Sequence, residues 1–350
     1  MNKFKKIFLV TLSVISGTVY AAEETKEVDE IKNVPFVFSV ASNEFWFASK
    51  KDISANYAFG LLGSTLYQVN GIQGSSLYNI THEVNGVQLA GVSNINTDNF
   101  SGFQGSGVFN INGAEFSGAQ LSGVFNINGA GFNGLQSSGF MNIAGGGDSR
   151  GAQIAGVLNI CKENLRGAQI GLINICSGDC GFQLGLINIA ENGILELGAS
   201  YTSNNDIRLA FNSGNQYCYT VLGVKCRDRI FKKNDGKIVL DNFVSFAGLG
   251  TRQQFSIFNF DLEAYYNSVY FRDNENKFRT AGYLSGRAVV GVTPVKHFNL
   301  FAGYTMSFEH ADFCDSDIAF KCLKSNFRTH LDNGLTLHHE IDAGIKIQFR

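Results

Sequence analysis

The chain has 350 residues, a formal net charge of −2 and only 17% charged residues, which excludes a basic field that would attract nucleic acid. A hydrophobic content of 44% excludes a chain too polar to build a core. The 40 glycines against 2 prolines, with 31 Phe and 12 Tyr, favour extended strands joined by tight turns.

Residues 1–21 read as a signal peptide. Lys3, Lys5 and Lys6 form a positive start, residues 7–15 are apolar, and Val19-Tyr20-Ala21 fits a small-residue cleavage site. The apolar run is too short to cross a bilayer as a helix. No cysteine stands near the cleavage point, so a lipid-anchored N-terminus is not expected. An acidic linker follows at 22–34, and strand-like sequence occupies 35–68.

Residues 69–193 carry an internal repeat of the form G-x-Q-x-x-G-x-x-N-I. Its glutamines are Gln73, Gln88, Gln104, Gln120, Gln136, Gln153, Gln169 and Gln183. Its asparagines are Asn79, Asn94, Asn110, Asn126, Asn142, Asn159, Asn174 and Asn188, each followed by Ile. The spacing is 14 to 17 residues over eight copies, the mark of a repeat architecture.

Two structures can carry this unit. One is a β-solenoid, with one unit per coil and identical amides stacked into ladders. The other is an antiparallel meander in which each unit is a barrel strand. Three features favour the coil. A barrel wall asks only for alternation, not for the same amide in every copy. Six copies place an apolar residue two before the leading Gly: Val69, Val84, Phe100, Phe116, Phe132 and Leu165. The last two units also lose one residue, as in Gln169-Ile170-Gly171, which would flip faces in a continuous strand but costs little at a glycine corner. The segment 102–107 has nucleotide-loop glycine spacing, but no strand–loop–helix context surrounds it and no Gly-Lys-Ser/Thr follows.

From 194 to 350 the pattern changes to long two-residue alternation, read as an antiparallel outer-membrane-type β-barrel. Phe258, Phe260, Leu262, Ala264 and Tyr266 share one face, against Asn259, Asp261, Glu263 and Asn267. Ile341, Ala343, Ile345, Ile347 and Phe349 oppose Glu340, Asp342, Gly344, Lys346 and Gln348. Strands of nine or more residues suit a tilted bilayer crossing, whereas those of a soluble sandwich usually run five or six. About eight strands are expected here, with one or two more from 35–67, and closure would remove edges that lipid cannot satisfy. Phe349, the penultimate residue, resembles the C-terminal assembly signal of outer-membrane barrels, which usually ends on the aromatic itself; here Arg350 follows. That resemblance implies recognition by barrel-assembly machinery.

Seven cysteines suit an oxidising compartment. Cys218 with Cys226 and Cys314 with Cys322 are each eight apart and bracket expected hairpins or loops. Cys161 and Cys176 share one repeat position and would reach disulfide geometry if coils stack at about 4.8 Å. A metal reading of Cys176 and Cys180 lacks nearby His partners.

The units GVQLAGVSNIN, GAQIAGVLNI and GAQIGLINI, between 86 and 175, resemble the repeats of a bacterial family of outer-membrane surface-repeat proteins. The run GFQLGLINIAENGILELGASYTSNNDIRLAF (181–211) resembles that family's junction between repeat and barrel-like end. The resemblance implies a location and a fold class, and it carries over no catalytic residue.

No G-x-S-x-G, H-E-x-x-H or clustered Cys/His set occurs. His338 and His339 would face opposite sides of a strand, and Asp315 and Asp317 offer too few oxygens for calcium. The expectation is a non-enzymatic protein of the cell outer membrane, without cofactor, in contact with outer-membrane lipid and open to an unknown surface ligand, but not to nucleic acid. The alternative is a passive channel with a Gln/Asn-lined interior. An outer-membrane enzyme would need a nucleophile–base pair that no spacing nominates.

Overall fold

The computed structural model of the protein describes residues 31–40, 53–227, 243–272, 278–309, 327–330 and 336–349. The structure is all-β and divides into two compact units, Met1–Gly181 and Phe182–Arg350.

The first unit is a parallel coil. Phe116–Ser122 pairs in register with Phe100–Ser106 on one side and Phe132–Ser138 on the other. Phe125–Ala130 lies in the same way between Phe109–Asn112 and Met141–Gly146. Each coil therefore has a Gln-bearing strand, a bend at the second Gly, an Asn-bearing strand and a return turn. At the bend the backbone bonds run coil to coil, from Val108 N to Val92 O and from Val124 N to Val108 O, both 2.9 Å. The leading glycine needs its lack of a side chain: Gly118 has φ +126°, and a methyl there would collide with the carbonyl of Gly102 one coil earlier. The glycines of 102–107 are thus structural positions of a coil.

The meander alternative for the repeat is overturned, because these pairings are parallel. The region 35–68 is also corrected. Lys32–Ser39, Ile53–Gly60 and Gly63–Ser75 pair in parallel as the first coils and contribute nothing to a barrel. Lys32–Ser39 and Ile53–Gly60 lack the repeat's amides (Val37 pairs with Ala58, and Ala58 with Gln73), so the motif did not reveal them.

The second unit contains a closed antiparallel barrel of eight strands: Ile194–Thr202, Asp206–Gly214, Tyr219–Arg227, Phe243–Phe255, Phe258–Arg272, Phe278–Val295, Phe298–Glu309 and Thr336–Gln348. The first strand closes on the last from Glu196↔Gln348 to Thr202↔Asp342. A short strand, Phe327–His330, pairs with the last strand beyond that closure. Turns at 215–218, 256–257 and 296–297 lie at one end, together with Ile194 and Phe349. The turn 203–205 and the strand ends Arg227, Phe243, Arg272, Phe278, Glu309 and Thr336 lie at the other.

The barrel is inside-out relative to a soluble protein. Leu262, Tyr266, Leu284, Val290, Leu300 and Ile345 are exposed, whereas Asp261, Glu263, Arg287, Asp342 and Lys346 are buried. The alternation read from the sequence therefore has its apolar side outward, as lipid requires.

Candidate functional site

The barrel lumen is the first place to look for chemistry. At the short-turn end, Arg252 forks onto Glu196 at 2.6 and 2.8 Å and onto Asp261 at 2.7 and 2.8 Å. Lys346 Nζ adds a 2.7 Å bond to Asp261. In the next layer Arg287 bonds Glu263 at 2.8 Å and Asp342 at 2.7 Å, and Arg208 reaches Glu263 at 3.4 Å. Towards the long-connection end, Lys225 Nζ lies 2.7 Å from Glu340. Each cation is on a different strand from its carboxylate, so the pairs cross the lumen or bridge neighbouring strands. Aromatic rings fill the remaining space: Phe246 lies 4.4 Å beneath the Arg208 guanidinium, and Phe301 is 5.3 Å from that of Arg287. Eight strands leave an interior just wide enough for side chains. The lumen is a packed ionic core.

The coil interior is built from neutral amides. Gln88 Nε2 donates to Gln73 Oε1 at 2.8 Å, and the series continues through Gln104, Gln120, Gln136, Gln153 and Gln169 at 2.8–3.0 Å. Asn79 Nδ2 donates to Asn94 Oδ1 at 2.8 Å, and that series continues through Asn110, Asn126, Asn142, Asn159 and Asn174 at 2.8–3.0 Å. From Gln88 to Gln169 each glutamine donates to the preceding coil, and from Asn79 to Asn159 each asparagine donates to the following one, so the two ladders carry opposed dipoles. From Asn79 to Asn159 each asparagine also donates to a carbonyl of the next coil, as Asn110 does with Leu121 O at 2.8 Å. These amides have no exposed surface. The Gln/Asn-lined pore loses its premise.

The last repeat keeps the glutamine-to-carbonyl contact of its neighbours and adds bonds to barrel strands. Gln183 Nε2 donates to Ile189 O at 3.1 Å. Asn188 Nδ2 reaches Ser213 O at 3.2 Å and Thr220 Oγ1 at 3.3 Å, while Thr220 Oγ1 donates to Gly185 O at 2.5 Å. The segment Gly185–Ile189 is thereby fastened to the ends of the second and third barrel strands beside the turn that joins them, at the short-turn end.

Sequence reasoning missed two features of the coil. A second ladder runs Asn96–Asn112–Asn128 at 2.8 and 2.9 Å, and it ends because Ala144 occupies the next coil. The coil is also amphipathic. Every Asp, Glu, Lys and Arg of residues 84–181, from Asp98 and Glu115 to Arg166 and Asp179, falls within three residues of the corner that opens each Gln strand. A groove of about 490 Å³ follows that polar corner past Glu83, Asn99, Glu115, Asn133, Asp148 and Arg150. At the opposite corner the residue after the second Gly (Ser76 in the first copy) is aliphatic or aromatic: Leu77, Val92, Val124, Phe140 and Leu172 are all exposed. Apolar residues after the second Gly of successive repeats were the signal.

The cysteines divide. Cys161 and Cys176 stand in register on neighbouring parallel strands, as stacking implies, but the expected disulfide does not join them: both are buried free thiols. The hydrogen bond to Cys176 and then burial hold the Cys161 thiol far above its usual range. Cys161 pulls the Cys176 thiol down, but Cys180 and burial outweigh it and push that thiol up to about 12. The pairing of Cys218 with Cys226 is overturned. Tyr219–Arg227 is one continuous strand, so the two cysteines stand at its opposite ends, about 25 Å apart at strand rise. A disulfide needs Cα atoms within about 7 Å. Both are free thiols.

His338 is buried, while His339 on the opposite face meets Tyr304 Oη at 2.6 Å. Among the described residues no group of His, Cys, Asp and Glu is arranged to hold a metal ion. The signal peptide, the linker, Cys314, Cys322, Asp315 and Asp317 lie outside the described residues.

No protein-family model and no curated protein matches the chain. Among solved structures, Neisserial surface protein A is similar at a TM-score of 0.27 and 11% identity, over 45% of this chain and 96% of that one.

Proposed function

We propose that this protein is a non-enzymatic scaffold of the outer membrane: a sealed barrel that anchors an amide-laddered repeat. The observation that carries the reading is the barrel's inverted surface together with its filled lumen. An apolar exterior over strands of nine or more residues suits lipid. Ion pairs across the interior leave no aqueous path, so the barrel serves as an anchor and the channel reading loses support.

The side occupied by the repeat follows from barrel topology. In outer-membrane barrels short turns face the periplasm and long loops face outward. The chain joins the first barrel strand at Ile194, at the short-turn end, and Asn188 is fastened there. The repeat, which leads into Ile194, therefore belongs on the periplasmic side. Membership of the surface-repeat family, export by a cleaved signal peptide and delivery by barrel-assembly machinery remain part of this proposal. They are supported by the repeat motif, residues 1–21 and Phe349.

Protease treatment of whole cells tests the reading. The expected result is cleavage only in the long connections of intact cells, with the repeat cut at turns such as 97–99 after the outer membrane is opened. Cleavage of repeat turns in intact cells would reverse the orientation. Recovery of the chain in the soluble periplasmic fraction without detergent would end the membrane reading.

A further inference from the structure

The polar groove, the thiol cluster and the apolar corner are the features of the coil that the anchoring role leaves unused. The apolar corner carries an inference furthest. Its members recur once per coil, from Leu77 through Val92, Val124 and Phe140 to Leu172. The flanking positions are uncharged too, with Leu89, Leu121, Ile154 and Ile170 exposed on the Gln strand and Phe109 and Phe125 stacked at 5.1 Å on the Asn strand. Monomeric soluble proteins seldom expose an apolar face of this extent, and such faces mark contact sites.

We infer that this face of the repeat lies on a phospholipid surface, the leaflet on the short-turn side of the barrel. The inference rests on the barrel reading above. Three observations select lipid as the occupant. Charge is segregated: every ionic side chain of residues 84–181 is at the other corner, the pattern of an element lying in a bilayer interface. The repeat is tethered to a barrel that is itself apolar outside, since only residues 190–193 separate the strand Ile187–Ile189 from Ile194. The last repeat has the same apolar position, Leu186, which is 49% exposed in the segment bonded to Ser213. A protein partner would be expected to meet some charged recognition groups, and within residues 84–181 this corner offers none.

Quenching by brominated lipid tests the inference on the full chain. Phe140→Trp, in a background carrying Trp46→Phe, is reconstituted into zwitterionic bilayers with and without dibrominated acyl chains. The expected result is a loss of more than half the fluorescence, matched by Leu172→Trp at a second site on the same face. Asn133→Trp, at the polar corner, should lose almost none. Tyr266→Trp on the barrel exterior distinguishes the two claims. If it is quenched while F140W and L172W are not, the barrel reading stands and the lipid-contact inference is overturned. If it is not quenched, the barrel reading fails and takes the inference with it. Protection of F140W by a second copy of the chain, seen as concentration-dependent cross-linking without quenching, likewise overturns the inference.

Discussion

The two units bury polar side chains by opposite rules. The coil encloses neutral amides and the barrel encloses charges. In a parallel in-register stack each residue meets its own kind one coil away, so a buried Glu or Lys would stack on a like charge. Amides avoid that conflict because each is both donor and acceptor and bonds to a copy of itself. In the barrel, neighbouring strands differ in sequence, so Arg287 can face Glu263 and Asp342 across strands. Repetition selects self-complementary groups, whereas non-repeating closure permits opposite charges.

Removing one barrel charge should have the largest effect. Arg287→Met leaves Glu263 short of a partner and Asp342 unpaired, at a cost of about 3–5 kcal/mol. A lower temperature for the heat-induced gel shift of the folded barrel would register it. On the outer surface, Val290→Lys places an ammonium against lipid and should cost about 2–4 kcal/mol. The same assay should show Val290→Leu to be neutral.

Much of this contrast was legible in the chain. The alternation Ile341, Ala343, Ile345 against Glu340, Asp342, Lys346 gave the barrel strands and their two faces, since a period of two can serve only a pleated sheet with unlike sides. The recurring Gln and Asn gave the coil. The direction of inversion follows from strand length rather than from any single residue. The partners within the lumen were not legible: Arg252 meets Glu196 only because the barrel closes, and no local pattern encodes that closure. The first coils escaped because Ala58 stands where a glutamine would have marked the repeat. Cys218 and Cys226 misled because eight-residue spacing suits a hairpin and a straight strand equally well.

In the coil, Gln120→Leu interrupts the ladder and leaves the Gln136 amide without its acceptor. The expected cost is about 1–3 kcal/mol, read as faster amide hydrogen exchange in the flanking coils with the barrel unchanged. The smallest effect expected is a gain. The Asn128 amide nitrogen is buried without a partner because Ala144 follows it. Ala144→Asn should extend the second ladder by one rung and add about 1 kcal/mol, slowing exchange in the same coils.

Planar-bilayer recording of the purified chain tests the inverted, filled barrel most directly. A neutral-to-charged contrast of this kind predicts a membrane-inserted protein with no stepwise conductance, and small steps only when Arg287 and Lys346 are both truncated. Regular conductance steps from the unaltered chain would contradict the account, because a lumen closed by paired charges has no room for an ion stream.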